Sequence, residues 1–314
     1  MYSKLRPSID KFEDPMITAT GEERAVVRLI RLRTLWFNTG SLCNIQCANC
    51  YMDSSPTNDE LTYLTLEDVR GYLTELASGE YSVEEVAFTG GEPFMNRELP
   101  YMLSESLVRG YRTLVLTNAM KPLQQKQSQL LDLHQCYGNE LVIRVSLDHF
   151  SQKYHDHVRG TGSWACAMEG LRWLTENRLN ITIAGRTCWD ETEEDVRLGF
   201  ASLFKDQNIR VDAFNPASLV LFPEMAMEAD VPEITTNCWD LLGVKPDTIM
   251  CATSRMVIRR KGRKSPNIVP CTLLPYDTEF DLGEDLSNSA TSVRLNHPYC
   301  ARFCVLGGAS CSTI

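Results

Sequence analysis

Short apolar or β-branched runs alternate with stretches of helical periodicity through the first two thirds of the chain. Strands are predicted at 33–40 (RTLWFNTG), 83–91 (VEEVAFTGG), 112–118 (RTLVLTN), 141–148 (LVIRVSLD), 180–187 (NITIAGRT) and 209–216 (IRVDAFNP). Between them, TLEDVRGYLTELAS (65–78) opens with Thr65 and Asp68 in capping-box spacing and sets Val69, Leu73 and Leu76 on one helical face. SWACAMEGLRWLTE (163–176) repeats the pattern, with Trp164, Met168, Leu171 and Leu174 as a core stripe. Six strands separated by helices predict a parallel α/β sheet, because parallel neighbours need a crossover helix. The pattern fits a doubly wound sheet or one curled into a barrel. In both, ligands collect at the C-terminal ends of the strands.

The loops at those ends carry the unusual residues. A cysteine cluster follows the first strand, Gly90-Gly91-Glu92-Pro93 the second, Thr117-Asn118 the third and Ser146-Leu147-Asp148-His149 the fourth. From about residue 220 the alternation ceases, Pro and Gly increase and cysteines become dense. A domain change is therefore expected between 220 and 245.

Composition narrows the function classes. At 314 residues the chain can form one large domain, or one of about 200 residues with a small appendage. A net charge of −10 argues against nucleic acid as a primary partner, since phosphate binding needs clustered Lys and Arg. The one basic run, RRKGRK at 259–264, reads as a solvated hairpin turn around Gly262. No apolar run approaches the ~20 residues of a membrane span, and the first residues lack a signal-peptide pattern. A cytoplasmic protein is expected.

Twelve cysteines then change the picture. In a chain with no export signal, clustered cysteines more often hold metal or perform catalysis than pair as disulfides. Cys136, Cys166, Cys188 and Cys238 stand alone and are expected as buried structural thiols. Cys43-x3-Cys47-x2-Cys50 is different, because a tight loop lets three thiolates reach three irons of a cubane and leaves the fourth open. An open coordination position marks a catalytic centre rather than a structural one. Zinc is the alternative, although no His lies nearby to complete its shell.

CxxxCxxC followed by an aromatic (Tyr51), after a first strand, resembles the signature loop of the radical S-adenosylmethionine superfamily. The resemblance implies a partial (β/α)6 TIM-like barrel in which Cys43, Cys47 and Cys50 hold a [4Fe–4S] cluster. S-adenosylmethionine would supply the missing ligand to the fourth iron, and its reductive cleavage would yield a 5′-deoxyadenosyl radical that abstracts hydrogen from substrate. FTGGEP (88–93) resembles the family's glycine-rich motif, with Gly90, Gly91 and Pro93 beside the methionine moiety and Glu92 accepting from its ammonium. LTNAM and VSLDHF resemble the family's third- and fourth-strand segments, which makes Asn118 and Ser146 cosubstrate partners. Ala119 and His149 stand where glycine is common there. Arg186 occupies a position where relatives touch the cosubstrate carboxylate, and Tyr51, Asp148 and His149 are acid–base candidates by loop position. YHDHVRGTGSW resembles a helix lead-in of enzymes with auxiliary clusters, in which Arg159 is expected to be a local ion-pairing residue.

The tail extends the resemblance. Cys251 and Cys271 stand at the feet of a predicted β-hairpin, and Cys300, Cys304 and Cys311 follow. This resembles the SPASM and twitch auxiliary-cluster domains, with five thiols for one second [4Fe–4S] cluster. Which later pair ligates is open, and zinc with His297 is the alternative there. The expected organisation is an N-terminal extension (1–30), a barrel (31–225) and a small cysteine-rich α+β domain (226–314). The expected function is hydrogen abstraction from a peptide or small molecule, with net oxidation, dehydrogenation or cross-linking, served by a low-potential flavodoxin or ferredoxin. A zinc-binding scaffold without catalysis is the contrasting expectation.

Overall fold

The apolar runs lie side by side in one sheet. The computed structural model describes residues 10–79, 81–187, 189–223 and 230–308. A short strand β1 (Val26–Val27) precedes β2 (Thr34–Asn38), β3 (Glu85–Thr89), β4 (Arg112–Thr117), β5 (Leu141–Ser146), β6 (Asn180–Thr187) and β7 (Leu219–Pro223). Strands β2 to β7 are parallel and neighbour one another in chain order. A doubly wound sheet would reverse direction at a switch point, so this progression is that of a partial barrel. Helices α1 (Leu66–Ser78), α2 (Leu99–Val108), α3 (Lys121–Gln124), α4 (Gln127–Tyr137), α5 (Gln152–Arg159), α6 (Ser163–Glu176) and α7 (Glu193–Asp206) fill the crossovers.

Strands β2 and β3 are buried at every position, as parallel strands covered on both faces must be. Successive side chains divide between two cores. Leu35, Phe37, Val86, Phe88 and Val115 face the helices, whereas Trp36, Ala87, Leu114 and Val142 point into the barrel with Met256. The capping box of Thr65 and Asp68 is formed, and α6 covers the predicted 163–176.

The sixth strand is displaced from its predicted position. Residues 209–216 form turns, because the Asp212 carboxylate accepts from the Phe214 amide and the Asn215 side chain from the Ala217 amide. Arg197 on α7 donates to the carbonyls of Ala213 and Leu219 and holds this bend against the helix. The isolated thiols also depart from expectation. Cys136 and Cys166 are exposed and Cys238 is half-buried, on the outer sides of their helices, while Cys188 lies outside the described residues.

Helix α8 (Cys238–Leu242) leads to the predicted hairpin, β8 (Ser254–Ile258) and β9 (Asn267–Val269). Strand β8 pairs parallel with β2, so the hairpin continues the barrel sheet. Its turn is the basic run. Gly262 takes φ +81°, and three of the run's charges are paired within the molecule: Arg259 with Asp68, Arg260 with Asp281 and Lys261 with Asp59. The last strand, β10 (Val293–Arg294), pairs with β1, and a buried Arg24–Glu233 ion pair joins the first residues to the tail. A π-helix at Cys300–Leu306 completes the second core. No helix of the described residues is long and apolar enough to cross a membrane.

Candidate active site

The cysteine loop leaves β2 at Asn38 and is held from several sides. The Cys43 amide donates to Ser55, Ser41 exchanges bonds with Leu61, and the Ala48 amide donates to Val158 at the end of α5. Tyr276, from the tail, donates its hydroxyl to the Met52 carbonyl at 2.6 Å and accepts from the Asn58 amide group at 3.4 Å. Asn49 and Asp53 adopt positive φ, which these residue types tolerate better than most.

The glycine loop presses directly onto this one. The Gly91 amide donates to Gly40 at 2.8 Å and the Glu92 amide to Leu42 at 3.1 Å. A Cβ on Gly91 would lie 2.2 Å from the Leu42 carbonyl oxygen, and one on Gly90, at φ +143°, would lie 2.6 Å from that of Gly40. Glycine is therefore required here for loop-to-loop approach, and the Gly91 amide is spent on that contact rather than offered to a ligand. Glu92 is likewise engaged within the protein. It is buried, and its carboxylate accepts from the amides of Phe94 and Asn118 and the hydroxyl of Thr117, binding the second and third strand ends together. Burial pushes this carboxyl up to about 7 against those three donors.

One cleft gathers most of the predicted site. Its wall contains Cys43, Cys47, Cys50, Tyr51, Gly90, Gly91, Pro93, Asn118, Ser146 and Arg186. It also contains Leu116, Thr117 and Arg159. Burial pushes the Cys43 thiol up to about 12 and raises that of Cys47, where Arg159 opposes the shift. Thiols held this way are poor nucleophiles but become thiolates on binding a metal. The Asn118 side chain is oriented by Asn44 at 2.8 Å. Three soft donors around one cleft, with no fourth protein ligand among the described residues of its wall, fit an iron–sulfur cluster with an open position.

Asp148 and His149 do not have the environment of acid–base groups. Asp148 is buried between two guanidiniums: Arg159 grips it bidentately at 2.8 and 3.0 Å, and Arg186 approaches to 3.4 Å. Although burial opposes ionisation, these cations hold its carboxyl down at about 2, so it orients the arginines instead of shuttling a proton. His149 is fully buried. Its Nε2 meets Glu191 at 2.7 Å, its Nδ1 accepts from the Ser151 amide, and its ring packs between Phe150, Tyr154 and Trp189. It lines neither compartment of the site and reads as a structural histidine. Arg159 is the residue the sequence undervalued: it pairs with Asp148 as expected, yet from the cleft wall, facing the thiols.

A second compartment opens beside the first and shares Tyr51, Leu116, Ser146, Arg159 and Arg186 with it. Its far wall is apolar and comes from late in the chain, from Phe222, Leu273 and Phe303; the rings of Phe222 and Phe303 lie 5.4 Å apart. No periodicity signals these residues, because they come from separate elements far apart in the chain.

Behind this wall Cys251, Cys271, Cys300 and Cys304 are all buried in one apolar cluster. Burial and the neighbouring Cys251 push the Cys300 thiol upward, and Cys251 itself rises to about 11. Cys311 lies outside the described residues. His297 is engaged elsewhere: Nδ1 accepts from the Tyr299 amide and Nε2 faces Asp277 at 3.4 Å. Among the described residues no group of three His, Cys, Asp or Glu side chains is gathered as for a single metal ion.

The chain is similar to several known proteins. The chain is 29% identical over 143 residues to the antilisterial bacteriocin subtilosin biosynthesis protein AlbA of Bacillus subtilis, a match covering 45% of this chain and 30% of AlbA. It is 26% identical over 146 residues to the Fe-coproporphyrin III synthase of Methanosarcina barkeri, covering 46% and 34% of the two chains. Both matches span well under half of the relative. In fold, the chain is similar to SuiB of Streptococcus suis bound to S-adenosylmethionine, with a TM-score of 0.57 at 12% identity over 81% of this chain and 63% of that one. It is similarly close to anSMEcpe with bound AdoMet, with a TM-score of 0.57 at 13% identity over 82% and 79%. Residues 37–198, more than half of the chain and the part that builds the cysteine cleft, match the Radical SAM superfamily. This chain belongs to that superfamily.

Proposed function

We propose that this chain is a radical S-adenosylmethionine enzyme that modifies a peptide by hydrogen abstraction, with net oxidation, dehydrogenation or cross-linking. The observation that carries this reading is the pair of joined compartments, a three-thiol cleft opening into an apolar chamber. Cys43, Cys47 and Cys50 would hold a [4Fe–4S] cluster, and the cleft beside them S-adenosylmethionine. When bound, this pair supplies one-electron cleavage of a sulfonium and the carbon radical that results.

The chain's own residues bind and orient. Gly90, Gly91 and Pro93 form the cleft edge nearest the cysteines, and Asn118 and Ser146 offer polar groups to a ribose. Arg186, steadied by Asp148, can receive a carboxylate, with Tyr51 forming the boundary between the compartments. Leu116, Ala184, Phe222, Leu273 and Phe303 give the second chamber a dry surface that suits a substrate side chain and keeps water from a reactive intermediate. The names of relatives favour a peptide: AlbA in bacteriocin biosynthesis, a PqqA peptide cyclase, and SuiB bound to its precursor peptide SuiA. Cys251, Cys271, Cys300 and Cys304 would hold an auxiliary [4Fe–4S] cluster as electron acceptor, with a flavodoxin or ferredoxin as donor to the first.

Anaerobic reconstitution with iron and sulfide tests this, comparing wild type with a Cys43→Ala/Cys47→Ala/Cys50→Ala variant. About eight irons per chain falling to about four, with loss of 5′-deoxyadenosine formation under reductant, is the expected result. Four falling to none removes the auxiliary cluster from the reading. Colourless, zinc-loaded protein without cleavage overturns it.

A further inference from the structure

Arg255 lies at the second position of β8 and is fully buried. Its guanidinium donates to four backbone carbonyls. Nη1 reaches Cys251 and Ser254 at 2.7 Å each, Nε reaches Ser289 at 2.8 Å, and Nη2 reaches Thr291 at 3.0 Å. Carbonyls satisfy its hydrogen bonds but carry no charge. Three other buried arginines have a carboxylate, Glu233 for Arg24, Asp148 for Arg186 and Glu193 for Arg197, while Arg144 places its Nε on the Thr182 hydroxyl. Among the described residues the groups acting electrostatically on Arg255 are instead the thiols of Cys251 and Cys271.

A buried cation without a counter-charge is costly. The Nη1 contact to the Cys251 carbonyl sets the guanidinium beside a buried cysteine, with Cys271 in the same apolar cluster. Iron binding converts such thiols to thiolates and supplies the missing negative charge. Cys300 and Cys304 are buried in the same cluster as Cys251 and Cys271.

We propose that Arg255 is the counter-cation of the auxiliary cluster, compensating the thiolates of Cys251 and Cys271 and holding the cluster's reduction potential above the value that uncompensated thiolates would set. This rests on the reading of the tail as a cluster site. Net charge is one of the protein's levers on iron–sulfur potentials. Removing a positive charge beside the cluster favours the oxidised form and lowers the potential.

The test uses the full chain carrying Cys43→Ala, Cys47→Ala and Cys50→Ala, so that remaining iron belongs to the tail. Arg255→Gln keeps hydrogen-bonding capacity without charge, and Arg255→Lys keeps charge without the planar fork. Iron per chain, melting temperature and an EPR-monitored redox titration are measured on the parent and both variants. The expected result is a lower midpoint potential in Arg255→Gln and a parental one in Arg255→Lys. Loss of iron in Arg255→Gln with retention in Arg255→Lys has the same meaning. Equal potentials in all three, or equal loss of iron in both variants, would show a structural anchor and overturn the proposal. A parent that binds no iron would instead refute the auxiliary-cluster reading beneath it, so the two failures are distinguishable.

Discussion

Gly91→Ala isolates the contact on which the candidate site is built. Gly91 needs no special backbone conformation, so an added methyl acts only through what it meets: the Leu42 carbonyl oxygen at 2.2 Å, the Leu42 carbonyl carbon at 2.5 Å and the Ser41 oxygen at 2.7 Å. Carbon and carbonyl oxygen ordinarily meet no closer than ~3.3 Å, so one loop must move by roughly 1 Å. All three atoms are backbone and cannot rotate away. The movement overpacks the site and strains the Gly91–Gly40 and Glu92–Leu42 hydrogen bonds, together costing about 2–4 kcal/mol. It also shifts Cys43, the next residue after Leu42, relative to the glycine loop. A 1 Å misplacement can cost about 100-fold in rate. Denaturant unfolding of metal-free protein measures the first effect, and iron content with initial rates of 5′-deoxyadenosine formation measures the second. Gly71→Ala is the control. Gly71 lies inside α1, where an added Cβ meets nothing within 4 Å, and the exchange should stabilise by about 0.5–1 kcal/mol. If Gly91→Ala folds, binds iron and turns over as wild type does, the glycine is not there for loop approach and the reasoning fails.

Three further outcomes follow from the buried contacts. Asp148→Asn leaves Arg159 and Arg186 without their carboxylate and should cost about 3–5 kcal/mol in denaturant unfolding. Because the folded carboxyl sits near 2, below its ordinary 3.8, the contribution is complete above about pH 4 and fades as pH falls towards 2. The gap between wild type and variant should narrow over that interval, and a gap constant from pH 5 to pH 2 would contradict the ion-pair assignment. Tyr276→Phe deletes the bond to Met52 and should cost about 1 kcal/mol, with faster hydrogen exchange in residues 50–58 of metal-free protein; unchanged exchange would mean that the tail does not hold the cysteine loop. His149→Gln should lower stability by about 1–3 kcal/mol yet retain 5′-deoxyadenosine formation, and loss of cleavage in well-folded variant would restore His149 as a candidate for chemistry.

The legible part of this protein is what local chemistry dictates. Five of six barrel strands, the capping box at Thr65 and the α6 stripe are visible in the sequence, because side-chain period and capping depend on neighbours a few residues away. The three-cysteine loop is visible for the same reason, since its ligand set is contained in eight consecutive positions. The sixth strand was misplaced where Asp212 and Asn215 turn chemistry overrides a β-branched run.

Other features were decided only by tertiary structure. Whether the sheet closes as a barrel depends on the spatial order of strands, which periodicity does not encode. Glu92 and Gly91 have a ligand-binding pattern in sequence, and the fold adds partners from adjacent strand ends, loop backbones for both and the Thr117 hydroxyl for Glu92. Asp148 has the loop position of an acid, but two arginines, one of them 38 residues away, lie against it. The apolar wall of Phe222, Leu273 and Phe303, the Tyr276 clamp and the carbonyl nest of Arg255 all join residues distant in sequence, as β8 does when it pairs with β2 across more than 200 residues. Charge compensation and close packing act through space, and the distances that set their strength exist only once the chain has folded.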